Sequence, residues 1–149
     1  MKAIYEYKLK NGELYPQMLP FCLHGKAPRT WMGDKKWKEL SLKTREKRKC
    51  ICCGYSGELK EFDCHEAYRF IYDDVTNIVD VELIDLYCIC KKCHNAIHIG
   101  RARVIGTEHE AIEQMQKVNE TNFVIRQNDI FNIIETAKLG TIKINLTEC

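Results

Sequence analysis

Two Cys-x-x-Cys pairs are the feature that most constrains what this chain can fold into. Cys50 and Cys53 form the first pair, and Cys90 and Cys93 form the second, with 36 residues between the pairs. Each short spacing lets one tight turn present two soft thiolates to a tetrahedral ion. The pattern therefore predicts a structural zinc site that joins two distant parts of the chain and leaves no open position for a substrate.

Neighbouring cysteines leave the details of the ligand set open. Cys52 and Cys88 each lie two residues from a predicted ligand, so a local rearrangement would exchange one for the other. The x-x spacing favours the four ligands given above because it fits the turns that hold zinc. Four further cysteines are interpreted as free thiols: Cys22, Cys52, Cys88 and Cys149.

Cysteine usage and the N-terminus favour a zinc protein of the cytoplasm over a secreted disulfide protein. The nine cysteines are an odd number, and the first ten residues contain charges that interrupt any apolar signal segment. No apolar run approaches the roughly 20 residues that cross a bilayer. We therefore expect a single domain over residues 1–149 that is cytoplasmic and does not enter a membrane.

Positive charge is concentrated in one segment of the chain. Residues 26–49 contain ten Lys and Arg and three acidic residues, whereas the formal charge of the whole chain is only +2. From Asp34 the segment predicts a helix, with Asp34 as its N-cap and Trp37, Leu40 and Thr44 on one face. Such a block either binds a polyanion or forms a solvated helix face, and charge alone favours neither.

The rest of the pattern predicts an α+β fold arranged around the cysteine pairs. Residues 1–30 contain several turn-forming residues and predict an arm or an edge strand. Further along the chain we predict strands at 59–63 and 81–88 with a turn at 73–77 between them, a short helix that follows Cys93 and ends near Gly100, helices at 107–119 and about 128–138, and a strand at 141–146.

Three histidines suggest a second metal site. His94 and His98 are four residues apart, so they share one face of a helix and can bring two imidazoles onto one ion. His65 lies between the cysteine pairs. Because four thiolates already complete the first site, the spare imidazoles predict an open site, which is the kind that supports catalysis.

The order of cysteine pair, DCHE at 63–66, second pair and two histidines resembles the HNH endonuclease family over residues 50–100. The resemblance implies a ββα-metal core with a structural zinc knuckle pair, flanked by additional helices. It implies metal-dependent hydrolysis of phosphodiester bonds in DNA or RNA, with His65 as the general base. His94 and His98 would bind a catalytic divalent ion such as Mg²⁺, Mn²⁺ or Ni²⁺.

Two positions depart from the family pattern. Cys64 stands where a His or Asp usually binds the catalytic ion, and the nearby carboxylates of Asp63 and Glu66 are the candidate substitutes. Asp85 stands where the family has an asparagine, and an aspartate can also orient a histidine through Nδ1. The alternative is a catalytically decayed, zinc-stabilised module that binds nucleic acid or another protein.

The expected partner is nucleic acid, with DNA preferred. Lys91, Lys92, Arg101 and Arg103 flank the predicted ligands in sequence and would contact the phosphate backbone, or would form a solvated surface. The small size fits a phage or mobile-element protein. Residues 104–149 would pack on the core, bind a partner or form a homodimer.

Overall fold

The computed structural model describes residues 1–120 and 136–146 and has a mixed α+β architecture, as predicted. The strands are β1 (Lys2–Tyr7), β2 (Phe62–Asp73), β3 (Ile78–Cys90) and β4 (Lys138–Ile144), and they form one sheet in the order β1-β2-β3-β4. The five helices of the described residues are α1 (Pro28–Met32), α2 (Asp34–Arg45), α3 (Lys91–Ile97), α4 (Ile99–Ile105) and α5 (Glu108–Asn119).

The hairpin of β2 and β3 is longer than the sequence predicted. Residues 59–61 form a 3-10 turn, and β2 begins only at Phe62 but continues to Asp73. The predicted turn at 73–77 is confirmed, and Tyr72 Oη donates to Asn77 Oδ1 across it. Both strands are buried on two faces over much of their length, so their apolar residues do not alternate in a simple pattern.

The predicted basic helix is confirmed as α2, with different ends. Gly33 precedes it, and Asp34 is its first residue and makes no capping hydrogen bond from its side chain. The helix ends at Arg45, and Arg48 adopts a left-handed conformation with φ 50° before the chain reaches Cys50. The predicted apolar face packs toward the sheet: Trp37, Leu40 and Thr44.

The helix predicted at the second cysteine pair is confirmed as α3, and a separate helix follows it directly. His98, with φ −93° and ψ 58°, separates α3 from α4, so Gly100 lies inside a second helix and the predicted end is wrong. The helix predicted at 107–119 is confirmed as α5. Thr107 makes no cap for it, because its hydroxyl donates to Asn95 Oδ1 instead.

The two ends of the chain supply the outer strands. β1 confirms the edge strand predicted near the N-terminus and pairs antiparallel with β2. The terminal strand is also confirmed, although β4 starts at Lys138 and pairs parallel with β3. The helix predicted at about 128–138 falls mostly outside the described residues, and its described end, 136–138, leads into β4.

Helices cover both faces of the β2–β3 hairpin. α2 packs against one face, where Cys64 contacts Thr44, and α3 packs against the other, where His65 contacts His94. Successive residues of a strand point to opposite faces, which explains why Cys64 and His65 face different helices. Among the described residues, no helix combines the length and the apolar character of a bilayer-spanning segment.

We predict that shortening Val79 destabilises the fold and that the same change at Val75 does not. Val79 is fully buried in the sheet's apolar cluster, which also contains Phe70, Val81 and Leu83, whereas Val75 lies in the hairpin turn with 81% of its surface exposed. Val79→Ala should lower the free energy of unfolding by about 2–3 kcal/mol, since it removes two methyl groups and leaves a cavity. Urea unfolding with zinc present measures both variants, and equal stabilities would contradict this packing.

Candidate metal centres

The first cysteine pair lies in a tight turn between α2 and β2. The Gly54 N–H donates to the Cys50 carbonyl, the Cys50 N–H donates to the Tyr55 carbonyl, and an isolated bridge joins residues 49 and 56. Gly54 has φ 77°, a left-handed conformation that glycine adopts without strain. This turn holds the Cys50 and Cys53 side chains on one side of the chain.

The second pair lies where β3 passes into α3, and the four cysteines meet. Cys90 ends the strand and Cys93 lies in the first turn of the helix. All four sulfurs lie within 4.8 Å of one another, and Cys53 Sγ is 3.7 Å from Cys90 Sγ. Zn–S bonds of about 2.3 Å in a tetrahedron place sulfurs about 3.8 Å apart. The predicted cluster could therefore hold zinc.

The surroundings of the cluster fit thiolate ligands. Gln114 Nε2 of α5 donates to Cys93 Sγ at 3.3 Å, which is the kind of hydrogen bond that supports a metal-bound thiolate. Cys53 is exposed, whereas Cys50, Cys90 and Cys93 are buried. A metal bound here would thus be shielded on most sides and open to solvent beside Cys53.

The structure separates the alternative ligands. Cys88 turns toward α2, where its thiol donates to the Arg45 carbonyl at 3.9 Å. Cys52 is buried and stays in contact with Cys50 and Cys93, so its thiol is the one spare sulfur next to the cluster among the described residues. Cys22 packs elsewhere in the sheet's apolar cluster, and Cys149 lies outside the described residues.

The second candidate centre is formed by three histidines from two elements and a junction. His65 comes from β2, His94 from α3, and His98 from the residue between α3 and α4. One ligand atom from each lies within 4.8 Å of the others, and the Nε2 atoms of His94 and His98 are 3.1 Å apart. Nitrogens bound to one zinc-sized ion are separated by about 3.3 Å, given bonds of about 2.0–2.1 Å.

Hydrogen bonds orient two of the three rings. His65 Nε2 donates to Gln17 Oε1 at 2.7 Å, and His94 Nδ1 donates to Asp63 Oδ2 at 2.9 Å. Such partners fix which ring nitrogen is free to bind a metal. The free nitrogens are therefore His65 Nδ1 and His94 Nε2, and His94 Nε2 is the one that faces His98.

His65 Nδ1 is a buried polar atom that lacks a hydrogen-bond partner among the described residues. An unpartnered nitrogen in the interior costs free energy unless it binds something. It lies on the side of the ring away from Gln17, and Glu66 Oε2 is 3.7 Å from it. The chemistry of this orphaned nitrogen fits a metal ion bound by the three imidazoles.

The protonation states also fit cation binding. Burial lowers the pKa of His65 well below its ordinary value, and burial together with the neighbouring His94 lowers that of His98 to about 4. Burial acts to raise the pKa of Asp63, but hydrogen bonds from His94 and Lys91 outweigh it and lower the pKa to about 2. His65 and His98 are thus neutral at physiological pH, with an ionised carboxylate behind His94.

The structure does not bring every predicted residue to the histidines. Cys64 faces α2, and burial raises its pKa to about 12. Asp85 is exposed and its Oδ1 accepts a hydrogen bond from the Leu86 N–H, so it does not orient His65. Asp63 reaches the site behind His94, as a hydrogen-bond acceptor. Glu66 is near His65, and burial raises its pKa.

Gln17 is the site residue that the sequence did not reveal. It lies in the N-terminal segment between two prolines, and its backbone N–H donates to the Ile97 carbonyl at the end of α3. No spacing or motif links this residue to His65, which is 48 positions away in the sequence. Only the folded chain places its amide against the imidazole.

Similarity does not assign these centres. No family model, curated protein or solved structure matches this chain.

We predict that the four-cysteine cluster holds one zinc ion that the fold requires. Cys90→Ser should remove about one zinc per chain and abolish cooperative unfolding, because closed four-thiolate sites contribute directly to folding. Cys22→Ser, which changes a thiol away from the cluster, should keep the metal. Zinc content and thermal unfolding measure both variants, and full zinc retention in Cys90→Ser would refute the ligand assignment.

A second prediction concerns Gln17. Gln17→Leu removes the acceptor for His65 Nε2 and should weaken binding of a divalent ion at the three histidines by about 10–100-fold, as expected when a ligand loses its orienting partner. Titration with Ni²⁺ or Co²⁺ of zinc-loaded protein gives the affinity. Gln116→Leu on α5 is the matched control, and an equal loss in both variants would argue against an orienting role.

Proposed function

We propose that this protein is a metal-dependent endonuclease of the HNH type that hydrolyses phosphodiester bonds of DNA, or of RNA. The observation that carries the proposal is the convergence of His65, His94 and His98, together with the unpartnered buried Nδ1 of His65. Three imidazoles leave a coordination position open, unlike four thiolates. The chain order of β2, β3 and α3 is also the order that a ββα-metal core requires.

The geometry supports His65 as a third metal ligand more than as the general base that the family resemblance implies. Its Nε2 donates to Gln17, and one of its ring nitrogens lies within 4.8 Å of a ligand nitrogen from each of His94 and His98. Its side chain is only 4% exposed, so substrate water has little access to it. Glu66 carries the carboxylate that lies beside His65, and it takes the role of general base in this proposal.

The bound divalent ion would polarise the scissile phosphate and stabilise the oxygen that leaves. Glu66 accepts a proton from the water whose oxygen attacks phosphorus, and the leaving oxygen takes a proton from solvent as the P–O bond breaks. Asp63 and Gln17 hold the rings of His94 and His65 in place. Of the candidate ions, Ni²⁺ suits three imidazoles better than Mg²⁺, which prefers oxygen ligands.

We predict that His65→Ala lowers metal-dependent cleavage of plasmid or single-stranded substrates by at least about 100-fold, because losing a ligand costs at least as much activity as losing a partner that orients one. His109→Ala is the matched control, since His109 lies on the surface of α5 with 84% of its side chain exposed. Its activity should be unchanged. Full cleavage by His65→Ala would exclude the site.

Metal titration of the same variants separates the two roles of His65. A ligand role predicts that His65→Ala loses the second metal along with activity, whereas a base role predicts that the metal stays bound. Glu66→Gln should bind the metal and fail to cleave. Zinc at the four cysteines should be unchanged in all of them.

A binding module without hydrolysis is the second candidate. It is favoured by the position of Cys64, which occupies the place of a usual catalytic ligand but packs against α2. If the wild-type protein binds the second metal but cleaves no substrate with any metal tested, the result would favour the binding module. A cytoplasmic location and a homodimer remain predictions in either case.

A further inference from the structure

A large cleft borders the four-cysteine cluster on the side of the exposed Cys53. It has a volume of about 1250 Å³, which exceeds the roughly 300–1,000 Å³ of pockets for small ligands. Five segments form its walls: the N-terminal turn at residues 11–12, the first cysteine turn, the 3-10 turn before β2, the start of α3 and the end of α5. A cleft of this size can hold a segment of a polymer.

Lysines dominate the charge of this cleft. Five exposed lysines contribute to its lining: Lys49, Lys60, Lys91, Lys92 and Lys117. Glu61 and Glu120 are the acidic residues of the lining, and Glu61 already accepts hydrogen bonds from Tyr55 Oη and the Glu58 N–H. Even if zinc and four thiolates count as two negative charges, the lysines exceed the negative groups.

Three of the lysines have no carboxylate partner within the described ranges. Lys60 pairs with Glu58 and Lys91 pairs with Asp63, whereas Lys49, Lys92 and Lys117 make no such ion pair. They come from three different segments that meet only in the fold. Unpaired ammonium groups converging on one cleft are suited to phosphates, which lysine binds as a point charge.

An aromatic ring adds a feature that free phosphate would not need. Tyr55 lines the cleft with 46% of its surface exposed, and its hydroxyl donates to Glu61, which holds the ring in place. Bases of single-stranded nucleic acids stack on such rings while lysines follow the backbone. The combination fits a single strand better than an acidic polypeptide.

The cleft also connects with the histidine centre. Lys91 lines the cleft and donates to one oxygen of Asp63, whose other oxygen accepts from His94. We infer that this lysine cleft binds a single strand of nucleic acid through its phosphates and bases and leads it toward the three histidines. The inference that the cleft binds a single strand does not depend on the proposed function. Only the path of that strand from the cleft to the three histidines rests on it.

The test is fluorescence anisotropy with a labelled 12-nucleotide oligo-dT and zinc-loaded protein without added divalent ion, over a series of salt concentrations. Replacing Lys49, Lys92 and Lys117 together by Gln should weaken binding and reduce the slope of log K against log salt by about 2, given about 0.7 per lost phosphate contact on a single strand. The matched control replaces the exposed lysines of β1 and β4: Lys2, Lys138 and Lys143. It should leave the slope unchanged.

Tyr55 gives an independent readout. Tyr55→Leu should weaken binding by about tenfold or more without changing the slope, whereas Tyr55→Phe keeps the ring and the affinity. Equal slopes in the cleft and control triple variants would overturn the inference, as would competition by poly-glutamate as strong as that of the oligonucleotide. If the triple variant loses zinc, Lys117→Gln alone should reduce the slope by about 0.7.

Cleavage assays separate this inference from the proposed nuclease. If wild-type protein cleaves and the triple variant binds and cleaves like it, the cleft inference fails and the nuclease stands. If binding depends on the cleft lysines but no metal supports cleavage, the cleft stands and the nuclease fails. If both hold, the triple variant should show a raised KM with little change in kcat.

Discussion

The meeting of Cys50, Cys53, Cys90 and Cys93 is the constraint on which the rest of the structure depends. It ties the turn before β2 to the junction of β3 and α3, and these are the two ends of one hairpin. α3 has only seven residues, too few to be stable alone. A zinc ion at this cluster would fix where α3 starts, and therefore where His94 lies relative to the sheet.

The histidine centre shows how burial and hydrogen bonding decide what a side chain can do. His65 is buried and neutral, with one ring nitrogen bound to Gln17 and the other unpartnered among the described residues. A buried polar atom without a partner is unfavourable, so such an arrangement persists where it serves a function. Asp63 links this centre to the lysine cleft, because its two oxygens accept from His94 and Lys91.

Much of the fold and part of the site could be predicted because local patterns specify them. The helices α2 and α5, the hairpin turn and the terminal strand follow from spacing, breakers and turn residues. Boundaries were less predictable: β2 extends to Asp73 because it pairs there with both β1 and β3, and Gly100 does not end its helix because the break falls at His98. These outcomes depend on packing partners that are distant in sequence.

The sequence by itself determined each of the two cysteine pairs and the pairing of His94 with His98, because spacing within a turn or a helix is a local property. Only the tertiary structure decided that His65 lies beside His94 and His98, and that Cys64 and Asp85 lie away from these three histidines. Strand alternation sends Cys64 to the opposite face, while a non-local contact brings Gln17 to His65. Likewise, the lysines of the cleft meet only because the cysteine cluster gathers the segments that carry them.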